Sequence, residues 1–192
     1  MAYWMSNPGH SWLVLNEQEK ARVPAFALRP DYEEDSEWAL AVMALPELAD
    51  NPKLFNGPAK ATLELARARC RDWYPDEYEL FTGEKATPEN SLKRAEEAFN
   101  TANARNWVVI AAFGDWKPGV PSGYVEVIAT LGGARGAGVR ERTFHILKEQ
   151  YDQRGRFGYV IQGHETEVTL RPSVVTSSHS FLPEEVQDGI NQ

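Results

Sequence analysis

The sequence predicts an α+β fold: one domain in which helices of the first half pack against an antiparallel sheet of the second. Three observations carry this. Between about Tyr32 and Ala104 apolar residues recur at helical spacing, and Pro and Gly divide the region into segments. From Trp107 to Val168 the pattern changes to short runs rich in β-branched and aromatic residues, bounded by Gly, Pro or Asp. The chain has 192 residues, 42% of them hydrophobic and 25% charged, with six Trp, seven Tyr and eight Phe, enough to bury a core.

The elements follow in order. His10–Glu17 reads as a short strand, and Arg22–Arg29 as a second that Pro24 confines to an edge. A helix is expected from about Tyr32 to Leu45, its acids in the first turns and Trp38, Val42 and Leu45 on its buried stripe. Pro58 starts a second helix to Trp73, with Leu63, Ala66, Cys70 and Trp73 on one side. A helical turn over Asp76–Phe81 closes at Gly83. Thr87-Pro88 opens a third helix to Ala104, with Leu92, Ala95, Phe99 and Ala102 inward. Four strand-like runs then predict an antiparallel meander of three or four strands, Trp107–Trp116, Gly123–Gly133, Arg140–Tyr151 and Phe157–Val168, with Glu126 pointing away from the apolar face of the second. The domain is expected over residues 8–170, followed by a polar tail at 171–192.

Charge is the most informative feature of the composition. Residues 31–50 hold seven acids and no Lys or Arg, and residues 72–89 hold six acids against Lys85, together −12 in a chain of net −8. This balance disfavours direct nucleic-acid binding but not a basic protein partner. The N-terminus lacks the pattern of a secretory signal, and the longest apolar window, Trp38–Leu45, is too short to cross a bilayer. A single Cys excludes an internal disulfide framework and a Cys-based zinc site. The expectation is a cytoplasmic protein with no cofactor.

Glu33, Glu34 and Glu37 in the first acidic segment, and Asp76 and Glu77 in the second, are the candidate partner-binding carboxylates. The alternatives for the first cluster are a divalent-cation site and a solvated helix N-terminus, and no metal is expected. Trp116, in GDWKPGVPSG, is a candidate interface anchor, against the reading of a loop lid. Arg135, in GGARGAG, sits at a hairpin tip where it would meet a partner. Cys70 is assigned to the core although Arg69 and Arg71 flank it. His10, His145, His164 and His179 lack a metal-motif spacing, and His145 or His164 with a carboxylate is the only visible start of a hydrolase or transferase site.

The blocks HSWLVLNEQEKARVPAF, YEEDSEWALAVMALPEL, YPDEYELFTGE, NWVVIAAFGDW, GYVEVIATLGG and RGRFGYVI, in this order, resemble an uncharacterised domain family of unknown function. Its members are proteins of proteobacterial plasmids, phages and integrated elements. The resemblance spans roughly His10–Gln162; it leads one to expect a double Gly near His10, where this chain has only Gly9, and a longer N-terminal segment. It implies a mobile-element accessory protein in a bacterial host cell and carries over no catalytic residue. With the charge pattern, the expectation is a binding protein that inhibits a basic host protein or nucleoprotein complex, of the anti-CRISPR or antirestriction kind. The other classes are a small His/carboxylate hydrolase or transferase, and a subunit that self-associates, as a dimer for example, through a sheet edge.

Overall fold

The computed structural model describes residues 1–168, so the expected 171–192 tail and His179 lie outside the described residues. The chain begins with a hairpin. Strand β1 (Tyr3–Asn7) pairs antiparallel with β2 (His10–Val14) around Pro8-Gly9, where Gly9 has φ 121°. The sequence reading omitted β1, although Ala2 and Trp4 face the core and Tyr3 and Met5 face out, in strand alternation.

Asn16 then caps the short α1 (Glu17–Lys20) in a capping box with Glu19. The expected strand at Arg22–Arg29 is instead a set of turns that buries Val23 and Ala27. β3 (Tyr32–Glu33) completes a three-stranded sheet in the order β1-β2-β3.

Helix α2 (Trp38–Ala44) starts six residues later than expected and buries Trp38, Val42 and the following Leu45 as predicted. Pro46 opens a 3-10 turn (Pro46–Asp50), α3 (Ala59–Trp73) follows Pro58, and α4 (Pro75–Thr82) ends on Gly83 in the left-handed conformation. Ala66 and Cys70 of α3 are buried, but Trp73 remains 43% exposed at the helix end. α5 (Leu92–Asn103) takes Ser91 rather than Thr87 as its cap: the Ser91 side chain accepts the Arg94 N–H and donates to the Arg71 carbonyl.

The second sheet is the predicted meander: β4 (Trp107–Phe113), β5 (Tyr124–Leu131), β6 (Glu141–Leu147) and β7 (Thr166–Glu167), antiparallel in sequence order. Its third run turns into α6 (Lys148–Asp152), and most of Phe157–Val168 is a loop that touches β4 through a bridge at Val160. A bulge between Val109 and Ala111 removes Ile110 from the β4–β5 register.

The chain is thus α+β, with its packing divided between two apolar clusters. Leu13, Tyr32, Leu40, Leu45 and Cys70 belong to the larger, formed by the first sheet and α2–α4. Val125, Val127, Ala129, Phe144 and Ile146 form the smaller, covered by Tyr151, Tyr159 and Ile161. The meander is therefore covered largely by its own downstream segment rather than by the helices of the first half. The C-terminal part of α5 and its cap reach it: Phe99 packs on Phe157 at 5.7 Å, and a Cβ on Gly132 would meet the Ala104 carbonyl at 3.2 Å. Among the described residues no helix is long and apolar enough to cross a membrane.

Candidate functional site

The first sheet, α2 and the start of α3 border an open cleft of about 580 Å³ lined by Trp4, Ser11, Glu34, Trp38, Phe55 and Leu65, among others. β1 supplies Trp4, whose indole N–H donates to the Leu54 carbonyl at 2.8 Å and so fixes the ring. Phe55 stands between the two indoles, 6.2 Å from Trp4 and 5.3 Å from Trp38 between ring centroids. Leu65, on the exposed side of α3, leaves apolar surface open at the mouth. A volume of this size is that of an organic ligand or a short peptide stretch.

Glu34 is the carboxylate of the pocket, and the β2–β3 pairing holds it there. Its N–H donates to the Ser11 carbonyl at 3.1 Å, and its carboxylate accepts the Ser11 N–H at 2.7 Å. Desolvation pushes the Glu34 carboxyl up, but its own N–H, the Ser11 N–H, the Glu33 side chain and nearby His10 outweigh this and hold it below the usual carboxylate range. His10 Nδ1 lies 4.0 Å from Glu34. One ligand atom from each of His10, Glu33 and Glu34 falls within 4.8 Å of the others, a set that could hold a divalent cation.

The rest of the first acidic cluster continues from Glu34 in a turn that precedes α2. Glu33 accepts the Asp35 N–H at 2.8 Å, and Glu37 accepts the Glu33 N–H at 3.2 Å. Both carboxylates thus accept local backbone N–H groups. Among the described residues, no Lys or Arg lies within ion-pair distance of Asp31, Glu33, Glu34, Asp35 or Glu37. On its other side the turn borders a second hollow with Glu33, Asp35, Arg69 and Trp73.

In the second acidic segment, four of the six acids are paired. Glu77 pairs with Arg29 at 3.0 Å, Asp76 with Arg94, Glu79 with Lys85 at 2.6 Å, and Glu84 with Arg67 at 2.6 Å. Asp76 and Glu77 thus serve as internal tethers between elements, whatever else they meet.

Trp116 and Arg135 are on the meander and do not line the aromatic pocket. Trp116 is 76% exposed, stands edge-on to Phe113, and lies over Gly114, where a Cβ would come within 2.9 Å of the indole. Arg135 donates to the Ile110 carbonyl at 2.9 Å, the group that the bulge frees, so it staples the glycine-rich loop to β4.

The histidines do not converge with a nucleophile. His145 faces Glu126 across β5 and β6 at 3.5 Å, and Lys117 also pairs with that carboxylate. The Lys117 hydrogen bond holds the Glu126 carboxyl below the usual range despite desolvation. His164 is exposed beside Glu165, whose buried carboxylate accepts the Gln162 and Gly163 N–H groups and the Tyr159 hydroxyl. Cys70 is in the larger core, where burial pushes its thiol up to about 12.

Of the candidate carboxylates Glu33, Glu34 and Glu37, only Glu34 lines the pocket, and sequence reasoning did not single out Trp4 and Phe55, which form its aromatic wall. The signal was present in Asn7-Pro8-Gly9, a turn between two alternating runs. No curated protein and no solved structure matches the chain. A family model described as "Domain of unknown function (DUF7007)" matches residues 2–104. The matched region holds the larger core, the acidic turn and the pocket, and it ends before the meander that the sequence resemblance also included. With more than half its length matched, the chain belongs to the DUF7007 family, a family of unknown function.

Proposed function

We propose that this is a non-enzymatic binding protein that engages a basic surface of a partner protein through Glu33, Glu34 and Glu37 and the pocket beside them. One observation carries the reading: among the described residues, the acidic turn at residues 31–37, next to an open aromatic pocket, has no Lys or Arg within ion-pair distance, although Glu47 further along the same segment pairs with Arg22. Uncompensated carboxylates speed and orient encounter with a cationic partner, and an apolar pocket supplies affinity. The family resemblance motivates the finer reading, a cytoplasmic mobile-element accessory protein that inhibits a host nucleic-acid-handling defence complex in the anti-CRISPR or antirestriction manner. Trp116 is a second anchor in this reading, on a separate face of contact.

The test is capture of partners from a proteobacterial host lysate by the tagged protein and by a Glu33→Lys, Glu34→Lys, Glu37→Lys variant, at low and moderate salt. A stoichiometric, salt-sensitive partner lost by the variant supports the reading. Equal recovery by both proteins removes the acidic turn from the interface.

A second reading, self-association through a sheet edge, is favoured by β1, which ends the first sheet and exposes Tyr3 and Met5. A mass in solution that stays monomeric as concentration rises would rule it out. The hydrolase alternative has less support, since Cys70, His145 and His164 lie in different clusters and loops.

A further inference from the structure

The aromatic pocket has a composition that ordinary core packing does not require. Two indoles and a phenyl ring surround an opening whose fixed anionic group is Glu34, and Trp4 and Phe55 stay only half-buried at its mouth. Aromatic faces attract cations, and the attraction grows when the cation is partly desolvated. A carboxylate held by backbone offers a forked hydrogen-bond acceptor to a planar guanidinium. Arginine meets both demands, because its guanidinium is flat, weakly hydrated and always charged, while its methylenes lie along apolar surface.

We propose that the pocket takes one arginine side chain of an extended basic segment of the partner, its guanidinium on Glu34 and its stem against Trp4, Trp38 and Phe55. This rests on the partner-binding reading above and adds the chemistry of the contact. Charge complementarity selects a peptide segment as occupant over a free organic cation. A lone cation needs only Glu34, whereas Glu33, Asp35 and Glu37 continue beyond the mouth with no Lys or Arg within ion-pair distance among the described residues. The cavity of about 580 Å³ also leaves room for a residue beside the arginine.

The experiment titrates the full chain, in EDTA so that no divalent cation occupies His10, Glu33 and Glu34, with three short capped peptides. Each carries two flanking lysines around a central arginine, lysine or citrulline. Calorimetry and tryptophan fluorescence report binding. The arginine peptide should bind about tenfold tighter than the citrulline peptide and several-fold tighter than the lysine peptide. Glu34→Gln, which keeps the shape, should erase the preference over citrulline. Ala61→Trp, at an exposed α3 position on the pocket wall, should abolish binding; Leu65→Lys is the replacement if that variant fails to fold.

Equal binding of the arginine and citrulline peptides overturns the proposal, as does undiminished binding by the filled pocket. The two readings fail separately. If the triple lysine variant loses the captured partner while Ala61→Trp keeps it, the binding function stands and the arginine pocket falls. If the arginine peptide fills the pocket while the triple variant captures the same proteins as the wild type, the pocket takes a free guanidinium compound and the partner segment falls.

Discussion

The first hundred residues and the meander solve the same burial problem with unequal means. Nineteen buried residues from the first sheet, α2–α4 and the turns that connect them make the larger cluster, whereas five from β5 and β6 make the smaller. The meander compensates with polar and aromatic cover: Arg142 lies over Trp107 and pairs with Glu167, Tyr151 packs on Tyr159, and Glu165 clasps its loop. The lesson is that the recognisable part of this chain is the part with the deep core, and the pocket is cut into its edge. A large core tolerates an opening lined by half-buried aromatics; a five-residue core does not.

The comparison can be broken most directly in the two cores. Leu40→Ala, at a fully buried position of α2, should cost about 3 kcal/mol by urea unfolding, with Ile146→Ala costing a similar amount in the meander. Hydrogen exchange separates them: Ile146→Ala should expose β5 and β6 amides while those of α2 and α3 stay protected. Joint loss of protection in both regions would mean that the clusters unfold as one unit.

The next effect is smaller. Lys117→Ala leaves the mostly buried Glu126 with His145 alone and should cost about 1–2 kcal/mol at neutral pH. The folded Glu126 carboxyl is held low, so the stabilisation is present above its unfolded pKa and is lost as pH falls through its folded value. The difference between wild type and variant should therefore shrink as acid is added. A difference that grew in acid would contradict the assignment.

The two acidic segments sharpen the comparison further. Asp35→Asn, where no Lys or Arg is in range, should leave the melting temperature unchanged or raise it, whereas Glu79→Gln, which removes the charge facing Lys85 and Arg94 and leaves the Ala86 N–H an acceptor, should lower it slightly. The smallest effect concerns Cys70. With its thiol pushed up to about 12, an aromatic disulfide reagent at pH 8 should leave it unmodified until denaturant is added.

Much of this architecture was legible because local signals and packing agree. α3 follows Pro58, α4 ends on Gly83, and three meander strands fall where β-branched runs predict them. The reading failed where side chains compete for backbone. The acids before Trp38 capture their own N–H groups and hold the chain in a turn, so α2 starts late. Thr87 and Ser91 are both acceptable caps, and Ser91 wins through its bond to the Arg71 carbonyl, a partner remote in sequence. Charge compensation was illegible for the same reason. Counting acids cannot show that Arg29, Arg67 and Arg94 reach across elements to the second segment, while among the described residues of the first only Glu47 finds an Arg and the turn at residues 31–37 finds none.

α5 carries a consequence for the mechanics of the whole molecule. It buries none of its own residues, yet it joins the two regions, held on one side by Arg94 reaching Asp76 and Glu79 and on the other by Phe99 against Phe157. The Arg94 contacts are ionic, the bond from the Ser91 hydroxyl to the Arg71 carbonyl beside them is not, and the Phe99 contact is apolar. Ionic strength rising from 0.1 to 1 M cuts the screening length from about 10 to about 3 Å and weakens only the first. Salt should thus act as a softener of the joint: the radius of gyration would broaden in scattering while the circular dichroism of both halves stays constant. A partner gripping the acidic turn would then feel the meander as a load on a compliant arm, stiff at low salt and yielding at high.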